Sequence, residues 1–156
     1  MRFFDSEDAL QTSLDAFLAE HKMHLGLVSL EAPLISNLSV WSNIALIRQF
    51  HENMPWEEAK ALVFVLLQRF DLAGISEKRN PALKMEELFC VMLIRAAMVR
   101  DAVVVLDRPF RILPDLRDGR FFTDAIRKVD DLIAEVHIFD YNWEKERYGT
   151  NDDAEN

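Results

Sequence analysis

Apolar positions recur along this chain in two rhythms, one helical and one extended. In 5–22, "DSEDALQTSLDAFLAEHK", the residues Leu10, Leu14, Phe17 and Leu18 share one face of a helix. Asp5 or Ser6 is placed to cap it, and acids fill its first turn. A short strand, 24–30, follows. The stretches 39–50, 56–70 and 82–100 are predicted helices, the first capped by Ser39 and the second opened by Pro55 and two glutamates. "HENMP" separates the first two, and "DLAGISEKRNP" links to the third. "AVVVL", 102–106, is continuously apolar and β-branched, the pattern of a central parallel strand covered on both faces. A loop with two prolines leads to a helix over 120–133 and a strand over 135–139, and the polar tail 141–156 is predicted to fray.

The order is therefore helix, strand, three helices, strand, helix, strand. Strands separated by helices imply a parallel sheet. The expected fold class is α/β: one domain over 1–156, with a short parallel sheet and a helical lobe over 39–100 inserted into it.

Composition fits one domain with a real core, since half of the 156 residues are apolar. The formal net charge of −9 makes the electrostatic term for nucleic acid or anionic lipid repulsive. The single cysteine, Cys90, excludes an internal disulfide and sits in the apolar run "LFCVMLI", which reads as a buried structural thiol. No stretch approaches the ~20 apolar residues of a membrane span, and the first residues lack a signal peptide's apolar core. A cytoplasmic protein is expected, peripheral to a membrane only through a partner.

One stretch carries candidate chemistry. In "AVVVLDRPF" a buried strand ends in Asp107, followed by Arg108. A strand-terminal acid can hold magnesium beside a phosphate. It can equally cap the next turn or pair with Arg108 or Arg111. His21 and His24, at i and i+3, have no acid or cysteine placed with them, so His21 reads as a cation at a helix C-terminus rather than a metal ligand.

Four segments, in order over roughly 25–140, resemble the ATP-binding cassette of ABC transporters. "LGLVSLEAPLISNLSVWSNIAL" is similar to the strand that delivers the family's glutamine loop and its L-S/T-V-x-x-N entry to the helical lobe. "RFDLAGI" resembles the turn closing the lobe's second helix, "LKMEELFCVMLIRAA" the signature helix, and "AVVVLDRPF" the Walker B strand. The resemblance implies a truncated P-loop NTPase-like fold. It also brings out departures. The family's phosphate loop is G-x-x-x-x-G-K-S/T, in which backbone amides cradle phosphates beside a lysine. None of the four glycines here is followed by Lys-Ser or Lys-Thr. Leu30 stands at the position of the loop glutamine, and Glu86 and Glu87 replace small signature residues. Arg108 stands where a glutamate would polarise water, and a guanidinium cannot act as a general base. Phe139 takes the place of the switch histidine, with His137 two residues earlier on the same strand face.

By this resemblance the chain is expected to be a non-catalytic cassette relative, with no catalytic residues and no cofactor. Its partner would be an ABC permease, another cassette subunit or a second copy of itself. Leu38, Val40 and Trp41 are candidate partner-docking residues, because the family's groove beside the glutamine loop receives a helix of the membrane subunit; core packing is the other reading. The alternative is a nucleotide-binding subunit completed by a partner chain, using Mg-ATP.

Overall fold

The computed structural model describes residues 1–149. Four parallel strands form one sheet in the order β1-β4-β3-β2: β1 is Arg2–Phe4, β2 Leu25–Val28, β3 Ala102–Asp107 and β4 Ile133–Tyr141. The helices are α1 (Glu7–Glu20), α2 (Val40–Glu52), α3 (Trp56–Arg69), α4 (Met85–Ala97) and α5 (Arg120–Arg127). The α/β class and the short parallel sheet are as the sequence pattern predicts. β1 is an addition: three residues gave too little pattern to register, and the strand exists because Phe3 and Phe4 pair with Asp140 and Tyr141 of β4.

β3 is buried at every position, as a continuously apolar central strand requires. Its two faces meet different partners. Val103 and Val105 pack with Leu10, Leu14 and Phe17 of α1. Val104 and Leu106 join the larger core with α2, α3, α4 and α5. α4 is buried without interruption from Phe89 to Ile94 and lies against β2. This approach depends on Gly26: a Cβ there would sit 2.8 Å from the Ala96 carbonyl carbon and closer still to its oxygen.

Local chemistry sets the helix ends. Ser6 caps α1 by accepting from the Ala9 N–H at 3.1 Å. The Lys84 N–H donates to Glu87 at 2.8 Å at the start of α4. Asn43 fastens the loop before α2: its Oδ1 accepts from the Ile35 N–H at 2.8 Å, and its Nδ2 donates to the carbonyls of Ile35, Leu38 and Ser39.

Two expected elements are corrected. The helix over 120–133 stops at Arg127, and Asp130–Leu132 forms a 3-10 turn. Acids at a helix C-terminus oppose its dipole. Arg69 exploits the break, donating to the Lys128 carbonyl and, through both terminal nitrogens, to Asp131 at 2.7 and 3.2 Å. Nor does the tail fray from 141: Tyr141 ends β4, and Asn142–Tyr148 is a 3-10 segment bound to the body. Tyr148 packs against Phe3 and Phe110 and donates its hydroxyl to buried Asp140 at 2.5 Å. Arg147 lies 3.8 Å over the Phe110 ring and donates to the carbonyls of Pro114 and Leu116. The rest of the expected tail, 150–156, lies outside the described residues.

Two predictions follow from the packing. Gly26→Ala is expected to lower the unfolding free energy by about 1–3 kcal/mol, the usual cost of overpacking, measured by urea denaturation. Burial pushes the Asp140 carboxyl above its ordinary value, against the opposing hydrogen bonds from Tyr148 and the Tyr141 N–H. A raised native pKa favours folding while the carboxyl is protonated and loses that contribution as pH rises through the shifted value. Stability of the wild type relative to Asp140→Asn should therefore fall with rising pH across the acidic range and level off above it.

Candidate functional site

The parallel strands point their C-terminal ends to one side, where ligands bind in open α/β sheets. Asp107 ends β3 there and is 3% exposed. Buried Ser29, just beyond β2, donates its hydroxyl to Asp107 Oδ2 at 2.7 Å. Arg108, also 3% exposed, donates Nε to Asp107 Oδ1 at 2.7 Å and Nη2 to Oδ2 at 3.4 Å. Nη1 donates to the Tyr141 hydroxyl at 3.1 Å, and Nη2 also donates to Gln11 Oε1 of α1 at 3.2 Å. Both carboxylate oxygens are therefore held by protein donors.

The pair forms because Arg108 adopts φ 44°, in the left-handed region. That conformation costs a non-glycine residue about 1 kcal/mol or more. It folds the side chain back onto the preceding residue, with the Arg108 N–H bonded to the Phe139 carbonyl at 2.8 Å. Burial works against the cation, but the hydrogen bonds to Asp107 and Tyr141 outweigh it and hold the guanidinium above its ordinary value. Of the alternatives open to Asp107, the structure realises the pair with Arg108; Arg111 instead lies 3.9 Å from Glu31.

A strand–loop–helix unit is where a phosphate cradle is built. Here β1 passes to α1 through only Asp5 and Ser6. Ser6 spends its hydroxyl on the helix cap, and Glu7 and Asp8 bring negative charge to the first turn. Asp107 is enclosed by a guanidinium and the first turn of α1 carries two carboxylates, a set that does not fit a magnesium–triphosphate group.

The other singled-out positions are dispersed. Leu30 is exposed and has no ligand atom. Arg95 of α4, in the segment that resembles the signature helix, donates to the carbonyls of Ala32 and Pro33, fastening the loop after β2. Glu86 is exposed, and Glu87 serves as the α4 cap. Phe139 is fully buried against Phe4 and Phe17. His137 packs on Phe17 from the same face and lies 3.3 Å from Glu135. The structure separates the two neighbouring histidines. His21 is the α1 C-cap, its ring on Phe17, and His24 contacts the Arg100 carbonyl through Nδ1 at 2.9 Å. Cys90 is buried, which pushes its thiol up to about 12.

Of the three docking candidates, Val40 is corrected: it is buried in the core and presents no surface. Leu38 and Trp41 are half-buried. The Trp41 ring meets Trp56 of α3 at 6.0 Å, and the Lys60 ammonium lies over both rings, at 4.8 and 5.8 Å. Trp56, Ala61 and Phe64 line a shallow groove of about 340 Å³ with Glu57 beside them. The helical spacing of Trp56 and Phe64 reads equally as core; their exposure, 54% and 45%, is a tertiary fact. Ser29, Gln11 and Tyr141 were missed because their partner lies 33 to 97 residues away.

Comparison with known proteins agrees with this architecture. The sulfate/thiosulfate import ATP-binding proteins CysA of two Xylella fastidiosa strains, 9a5c and Temecula1, are each 27% identical to the chain over 139 residues. The aligned region is 87% of this chain and 38% of each relative, so the chain spans less than half the length of the curated relatives it matches. Among solved structures, cbiO1 of Clostridium perfringens, described as part of the ABC transporter complex cbiONQ, has the same fold. The TM-score is 0.57 at 17% identity, over 80% of this chain and 49% of that one. No family model matches the chain. The chain is thus an ABC-cassette-like α/β domain with a P-loop NTPase-like fold.

Removing Arg108 alone leaves a buried, uncompensated carboxylate. Arg108→Ala is expected to cost about 3–5 kcal/mol of stability, whereas Arg120→Ala, at an exposed pair with Asp118, should leave the unfolding midpoint essentially unchanged. Urea unfolding of the two variants measures the contrast.

Proposed function

We propose that this chain is a non-catalytic, cassette-like component of an ABC transport system, acting through contacts with other components rather than by hydrolysing ATP. Its similarity to import ATP-binding proteins supports the transport context. The enclosure of Asp107 by Ser29 and Arg108 carries the non-catalytic reading. Phosphoryl transfer needs positioning and charge stabilisation from several groups at once. Here the strand-terminal acid has its oxygens occupied, a cation stands in the base position, and the loop before α1 supplies no cradle.

The partner surface on this reading is the aromatic groove of α2 and α3, with Trp41, Trp56, Lys60 and Phe64. Exposed tryptophans with an adjacent cation are frequent anchors at interfaces. A permease or another cassette subunit is the proposed partner, which would hold the chain at the cytoplasmic face of a membrane. The described residues include no helix long and apolar enough to cross one.

Calorimetric titration with Mg-ATP tests the reading. Affinity weaker than about 100 μM is expected; tighter binding, abolished by Asp107→Ala but not by Asp118→Ala, would instead support a nucleotide-binding subunit completed by another chain. Trp56→Ala should weaken co-purification with a candidate permease or cassette subunit without altering the melting temperature.

A further inference from the structure

A second groove, of about 210 Å³, opens at the opposite end of the sheet, where β2 and β3 begin. Its charged lining comes from three places: Lys22 and His24 in the link from α1 to β2, Arg48, His51 and Glu52 in the last turns of α2, and Arg100 in the link from α4 to β3. In a chain of net charge −9 this groove gathers three Lys and Arg side chains, two imidazoles and one carboxylate.

That carboxylate is already committed. Glu52 pairs with Arg48 at 3.2 Å, and Arg48 Nε donates to the Met98 carbonyl at 2.6 Å, closing the end of α4. Arg48 therefore has a structural role, as a cation at a helix C-terminus should. Lys22 and Arg100 have none of this kind. Among the described residues neither side chain makes a hydrogen bond or an ion pair, and the Arg100 main-chain carbonyl is held by His24. The groove at the start of α5 is the contrast. Arg120, Arg127 and Arg147 line it, and each has a carboxylate within 3.5 Å: Asp118, Asp124 and Glu144.

We propose that the groove at the β2 and β3 starts binds a compact oxyanion of the phosphate class through Lys22 and Arg100, the two lining cations that have no protein partner among the described residues. A planar guanidinium fork and a mobile ammonium are the donors that recognise such oxygens. The volume suits one phosphate-sized head group and is smaller than typical drug-sized pockets of roughly 300 Å³ or more. The site is remote from Asp107 and independent of the docking role proposed above.

Amide chemical shifts of the full chain, followed during titration with inorganic phosphate and with sodium chloride at matched ionic strength, test this. Saturating shifts at Leu25, His51 and Val99 are expected with phosphate alone, with a Kd of about 1 mM or tighter. Lys22→Ala and Arg100→Ala, both at exposed positions, should each weaken binding about tenfold, the scale of one lost charge-assisted contact. A parallel titration with glycerol phosphate separates sources: tighter binding than inorganic phosphate assigns a phosphomonoester, equal binding the free ion. Identical responses to phosphate and chloride, or affinity unchanged in both variants while their spectra remain folded, would overturn the proposal.

Discussion

A carboxylate removed from water at the end of a central strand needs donors and a counter-charge close by. Asp107 finds both in its sequence neighbour and in one hydroxyl from the next strand. Desolvating two charges is expensive, and a buried pair is tolerated only when its remaining hydrogen-bonding capacity is filled. Arg108 meets that condition through Asp107, Tyr141 and Gln11, which belong to β3, the end of β4 and α1. Ser29 adds the end of β2. One ion pair therefore ties three strands and a helix together at the C-terminal edge of the sheet.

The rest of that edge is organised around the same closure. Arg95 holds the loop after β2, and Asn43 holds the loop leading into α2. Beyond β4, the 3-10 segment Asn142–Tyr148 joins β1, Asp140 and the 109–119 loop, with the Gly119 N–H bonded to the Arg147 carbonyl at 2.7 Å. Phe139 lies in the core, Glu87 caps α4, and Arg108 is salt-bridged to Asp107.

The two grooves follow a different logic. On α3, aromatic rings stay exposed around one lysine, a surface suited to protein contact. At the starts of β2 and β3, cations collect where helices end. Some of them answer the partial negative charge of helix carbonyls, as Arg48 does; Lys22 and Arg100 do not.

Much of the architecture is legible in the chain because it is local. Continuous β-branched apolar residues at 102–106 could only be a covered strand, and helical spacing with caps marks α1 to α4. The identities of Leu30, Arg108 and Phe139, and the lack of a glycine–lysine phosphate loop, likewise stand in the sequence without any coordinates. What required tertiary structure was non-local. β1 exists only through pairing with β4, and the tail is ordered only because Tyr148 and Arg147 reach Asp140 and Phe110. Helical spacing makes Val40 and Trp56 equally apolar, and only the packing of α2 against α3 and α4 buries one and exposes the other. The pairing of Asp107 with Arg108 rather than Arg111 was likewise decided by folding, which brought Ser29, Gln11 and Tyr141 from distant parts of the chain to the same few ångströms.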